Sequence, residues 1–224
     1  MIMVTEINLN QELRPKKGPT PKILGMFWNP SLQFKRIKEN PRILFPLFVV
    51  IVLQTGAMTF NAYTIKFDPS QFHGLNEQQL ATAKQFAQIT MIISGILLPI
   101  LLILLFSALH ILFAKFTSSD VNFKQLFSMN TYIFIIGTAG LILNSLIRFL
   151  INGDMTLIVT SLGSIIKTDG FSSKLLNAIE VFSIWRVILT YLGLKIVANL
   201  SKSFALIVAI IVFLGGILIG AVLG

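Results

Sequence analysis

Long uncharged apolar runs dominate the chain, with polar residues gathered between them. Twenty-three uncharged residues lie between Arg42 and Lys66. At about 1.5 Å rise each, such a run crosses a hydrocarbon core of roughly 30 Å. It predicts a first transmembrane helix over 43–63. Thirty uncharged residues separate Lys84 from Lys115, centred on Pro99. That exceeds one straight span, so the second helix is expected to tilt, to kink at Pro99 or to begin above the interface. A third span is expected over 129–151, uncharged from Gln125 to Ile147 and then carrying Arg148. The fourth, over 178–199, is weaker, because it holds Glu180, Arg186 and Lys195. The fifth, from 204 to Leu223, has no charge. The pattern predicts an all-α integral membrane protein, a five-transmembrane-helix bundle occupying 42–224.

The polar stretches differ among themselves. Residues 1–21 end in Arg14-Pro-Lys-Lys-Gly-Pro-Thr-Pro21 and offer little to bury, so a disordered cytoplasmic tail is expected there. In 22–41, Asn29 can cap a helix whose first turn tolerates Pro30. Phe34 and Ile37 are three apart and share a face, beside Lys35, Arg36 and Lys38, with Phe27 and Trp28 before the cap and Pro41 after the end. This predicts an amphipathic interfacial helix on the inner membrane surface, its aromatics at headgroup depth. Residues 64–85 are expected to form an outer loop and 115–129 a short inner one. Met155–Ile166 holds 12 uncharged residues, too few to span, and is expected to form a surface or partly buried outer segment.

Composition sharpens this. The 224 residues are 54% hydrophobic and only 12% charged, with mean hydropathy +0.82. Soluble domains carry about 25% charged residues, so too little polar surface exists here to face water. The net charge of +9 could point to nucleic acid, but the basic residues flank the apolar runs and crowd the first 42 positions, which is the membrane pattern and not a nucleic-acid face. Lys115, Lys124, Lys195 and Lys202 join that basic N-terminal stretch if the N-terminus is inside, leaving fewer positives in the outer loops. The expected placement is the cytoplasmic membrane, N-terminus cytoplasmic and C-terminus outside. The first apolar run follows a long charged tail, so no cleaved signal peptide is expected. The chain has no cysteine, which excludes disulfides, thiolate zinc sites and thiol catalysis.

Ionisable side chains in membrane segments are costly, and each is a candidate for function. Arg148 and Glu180 both fall near outer ends of spans and are expected to pair. Asn144, one turn below Arg148, is expected to reach Arg186. The same cluster of Asn144, Arg148, Glu180 and Arg186 could equally glue helices together or line a polar path. His110 has no partner at metal-ligand spacing and reads as a packing histidine with satisfied hydrogen bonds. His73 reads as a solvated loop residue. Gly216, Gly220 and Gly224 repeat at four-residue spacing, a face that admits a close helix neighbour, within the chain, in a partner or in a second copy. Gly137 and Gly140 suggest the same in the third span. Nucleotide-binding, metalloprotease and serine-hydrolase motifs are absent. No enzyme activity, cofactor or metal is expected.

Phe27-Trp28-Asn29-Pro30, then Phe34, Ile37 and Asn40-Pro41, resembles the start of Yip-domain (Ypt-interacting protein) sequences, where a basic amphipathic stretch precedes the first of about five spans. Val181-Phe182-Ser-Ile-Trp185 followed by Leu189, Gly193 and Leu194-Lys195 is similar to the fourth-span signature of the bacterial branch. Arg186 has no counterpart in that pattern. The resemblance covers roughly 22–224. It implies an integral membrane partner protein and not a catalyst. Eukaryotic members bind prenylated small GTPases and shape secretory membranes, whereas bacterial ones include an accessory factor of an ABC efflux system that protects against a peptide toxin. The function so expected is a membrane scaffold or accessory subunit, with ABC transporter subunits as partners. A small-solute or ion permease and a membrane-shaping factor stand as alternatives.

Overall fold

The computed structural model describes residues 18–64, 74, 76–153 and 157–223, the last five through their backbone only. Eight α-helices and one 3-10 turn occur among them. They are α1 (Gly25–Trp28), α2 (Pro30–Glu39), α3 (Leu44–Thr64), α4 (Glu77–Ala114), α5 (Phe123–Leu150), the 3-10 turn Leu162–Ser164, α6 (Gly170–Ala178), α7 (Val181–Ile196) and α8 (Lys202–Leu223).

Helices α3, α4 and α5 are long and apolar enough to cross a membrane. α3 matches its expected bounds almost residue for residue; Pro46 falls in its first turn, where a missing N–H costs no helical hydrogen bond. α4 runs 38 residues, about 57 Å and nearly twice a hydrocarbon core. It starts above the apolar run because Asn76 and Gln79 form a reciprocal capping box there. It continues through Pro99 as one helix. Asn122 and Gln125 form a second capping box, which starts α5 six residues before the expected 129.

The fourth expected span is shorter than its apolar run. α7 has 16 residues, about 24 Å, because Glu180 caps its start and the chain turns at Val197. α8 is apolar along its described stretch Lys202–Leu218.

α5 is the hub. It packs against α1, α2, α3, α4 and α7, and is buried along one face and much of its first four turns. α3 and α4 meet closely at Gly95, where an added Cβ would lie 2.9 Å from the Thr55 Cα.

The N-terminal region departs from expectation. Residues 1–17 lie outside the described residues, but 18–21 are docked. Tyr132 donates from its buried hydroxyl to the Pro21 carbonyl at 3.1 Å. Asn40 Nδ2 donates to the Gly18 carbonyl at 2.8 Å, and the Lys22 N–H to Gln33 Oε1 at 2.8 Å. Asn29 caps α2 as expected, accepting from the Leu32 N–H. Phe34 and Ile37, expected to face lipid, are completely buried, because α2 lies against α5 and α7. The most exposed apolar residues of this region are Leu24 and Trp28, 71% and 84% accessible, followed by Leu32 at 40%.

Candidate functional site

The polar residues of the last third of the chain assemble where α5 and α7 adjoin the loop between them. Asn144, buried in α5, donates through Nδ2 to the Thr160 hydroxyl at 2.9 Å. Its Oδ1 accepts the Thr160 N–H at 3.1 Å. The Thr160 hydroxyl donates onward to Glu180 Oε2 at 3.0 Å. Glu180 also accepts from the Phe182 N–H at 3.0 Å and from the Ser183 hydroxyl at 2.9 Å. One carboxylate thus caps α7 and ties down the loop. The backbone completes the join, with the Leu162 N–H donating to the Ile179 carbonyl and the Val181 N–H to the Thr160 carbonyl.

The expected pairings are therefore redistributed. Arg148 donates to Asn61 Oδ1 on α3 at 2.6 Å, so it links α5 to α3, while the Glu180 carboxylate is occupied by its own helix start and Thr160. Asn144 serves Thr160 and the Gly140 carbonyl, not Arg186. The Arg186 guanidinium instead lies over the Phe134 ring, 5.5 Å from its centroid. Its buried Nε has no hydrogen-bond partner among the described residues. Thr160 was missed in the sequence, because a lone threonine in a short uncharged run carries no spacing signal.

The signature residues of α7 act through packing. An added Cβ at Gly140 would lie 2.6 Å from the Phe182 ring, at Gly137 3.1 Å from Arg186 Cδ, and at Gly193 2.7 Å from Met129 Sδ and 3.3 Å from Phe34. Ascending α7 from Phe182 to Gly193 thus descends α5 from Gly140 to Met129, so the two helices are antiparallel. Their glycines are notches for the neighbour's bulk. Trp185 packs on the rim of this core, with Phe182.

His110 is buried beside the Asn130 side chain, and neither ring nitrogen reaches strict hydrogen-bond geometry with a described residue. His73 and Gly224 lie outside the described residues, and Gly220 is described through its backbone only. A Cβ added at Gly216 would meet nothing within 4 Å among the described residues, so this glycine is on an open face with respect to them. Among the described residues no three His, Asp or Glu side chains gather as a metal site.

A bundle of apolar helices, three of them long and apolar enough to cross a membrane, defines a helical integral membrane protein. The Yip1 domain matches residues 24–223, and the chain belongs to that family. It is similar to the membrane protein YknW of Bacillus subtilis strain 168, with 28% identity over 221 residues, covering 97% of this chain and 94% of the relative. No solved structure matches.

Proposed function

We propose that this protein is a multi-pass scaffold or accessory subunit of a membrane complex, assisting an ABC-type exporter. In this reading five segments cross or enter the cytoplasmic membrane, α3, α4, α5, α7 and α8, with the N-terminus inside and the C-terminus outside. The observation that carries the reading is the closure of the polar cluster on itself. Asn144, Thr160, Glu180 and Ser183 bond to one another and to backbone, so these four polar residues serve the bundle's architecture. What remains for function is the outer surface, including the exposed apolar faces of α4 and α8 and the open face at Gly216. A permease needs these polar groups to line a path, and the closed network favours the scaffold.

A second reading, membrane shaping from the inner surface, is favoured by one observation. Leu24 and Trp28 are exposed beside the exposed Lys22, Lys35 and Lys38, a combination that suits an anionic leaflet.

Purification of tagged protein from its native membrane in mild detergent tests the first reading. Stoichiometric recovery of an ABC permease and its ATPase, lost on Gly216→Leu, is the expected result. Recovery of the chain alone would overturn it. Liposome binding that depends on anionic lipid and on Trp28 would then support the second.

A further inference from the structure

The depth of the loop between α5 and α7 follows from its bonds to α5. α5 has 28 residues, and its uncharged run from Gln125 to Ile147 centres near the helix midpoint. Asn144 lies seven to eight residues beyond that midpoint, about 11 Å along the axis. The half-thickness of a hydrocarbon core is roughly 15 Å. Asn144 therefore holds Thr160 inside the core boundary and not above it. The antiparallel register of α7 agrees, since Phe182 sits at the level of Gly140.

A non-helical backbone survives at such depth only where protein satisfies it. Between Thr160 and Ile166 that condition is largely met. The Thr160 N–H bonds to Asn144, the Leu162 N–H to the Ile179 carbonyl and the Val181 N–H to the Thr160 carbonyl. The Ser161 hydroxyl donates to the Ile158 carbonyl at 2.7 Å, and Ser161 and Glu180 form an isolated antiparallel bridge. Several side chains of the same segment are exposed and apolar: Leu162, Ile165, Ile166 and Phe171 are 40%, 78%, 49% and 51% accessible, with the exposed charges Lys167 and Asp169 between the last two and Lys174 beyond them. The flanking helix ends also expose apolar side chains, Phe149, Leu150 and Ile151 of α5 and its C-cap and Val181 and Ile184 of α7. α7, at about 24 Å, is too short to cross the core alone.

We infer that the segment 157–178 is a membrane-dipping element that completes the outer half of the short fourth span, with Leu162, Ile165, Ile166 and Phe171 in contact with lipid acyl chains. Its occupant is the bilayer of the leaflet facing that end of the bundle. The inference rests on α5 crossing the membrane, and it extends that placement to a segment whose own sequence is too short to span.

The absence of native cysteine makes the test clean. Ile165→Cys and Ile166→Cys would be labelled with an environment-sensitive fluorophore, and the full chain reconstituted into phosphatidylcholine–phosphatidylglycerol vesicles. Leu105→Cys, on the exposed face of α4, is the lipid reference, and Ser118→Cys, in the short loop after α4, the aqueous one. Blue-shifted emission at 165 and 166, quenched by acyl-chain nitroxide lipids as strongly as at 105, is the expected result. A parallel variant, Phe171→Trp with Trp28→Phe and Trp185→Phe, reads the same contact through brominated lipids without a label. Emission at 165, 166 and 171 that matches 118, with quenching only by aqueous agents, would overturn the inference while leaving the bundle in place. Aqueous behaviour at 105 as well would overturn the membrane placement of the helices and the inference with it.

Discussion

At the residue scale, the decisive positions are the three glycines along the α5–α7 contact. Each leaves out a methyl group that its neighbour fills: Phe182 at Gly140, Arg186 at Gly137, Met129 at Gly193. Overfilling a packed core costs about 1–3 kcal/mol. Gly140→Ala is therefore expected to lower stability in detergent by that amount, and pairing it with Phe182→Leu is expected to recover part of the loss. A thermal melt of the two variants checks this. An unchanged melting temperature for Gly140→Ala would mean the helices are not in contact there. Phe34→Ala on α2 should cost more, about 3–5 kcal/mol, because the ring is fully buried against Gly193. Such a loss separates a protein-facing Phe34 from a lipid-facing one, whose truncation would leave detergent stability nearly unchanged.

At the element scale, charge assignments become a test of which helices are joined. Arg148 bonds to Asn61 on α3, while Glu180 caps α7 and holds Thr160. Arg148→Glu and Glu180→Arg should each impair folding, and the double exchange should not restore it, since each charge serves a different helix. Recovery of the doubly exchanged protein, read as monodisperse yield after extraction, would show a direct pair. The elements themselves were largely legible in the sequence. Apolar runs are local, and length alone identifies α3, α4, α5 and α8. The Asn29-Pro30 cap was legible for the same reason. What could not be read is the direction in which an apolar face looks. Phe34 and Ile37 share a face whether that face meets lipid or protein, and only the position of α2 against α5 and α7 decides it. Nor could the run Met155–Ile166 be placed, because its anchor, Asn144 to Thr160, joins residues 16 apart across a turn and leaves no periodic trace. The Gly140–Phe182 notch is more distant still.

At the scale of the whole molecule, α5 is held at both ends by segments that are not full-length spans. On one side Tyr132, Ser128 and Gln125 donate to the carbonyls of Pro21, Arg42 and Lys38. On the other, Asn144 takes Thr160 and, through it, Glu180. Both joins bring irregular backbone against a buried helix, and in both a side chain of α5 satisfies groups that lipid could not. The two are separated by about three turns of helix, some 18 Å between Tyr132 and Asn144. Sites that distant, with no shared partner, are expected to contribute independently. Tyr132→Phe removes one hydrogen bond and should cost about 1 kcal/mol. Asn144→Ala strips two bonds from Thr160 and should cost more. If α5 is a rigid post, the double variant should lose the sum of the two within about 0.5 kcal/mol. A larger deviation, measured by reversible unfolding of the four proteins in one detergent, would mean that loosening one end alters the other. The bundle would then transmit a change from one end of α5 to the other instead of merely holding both ends in place.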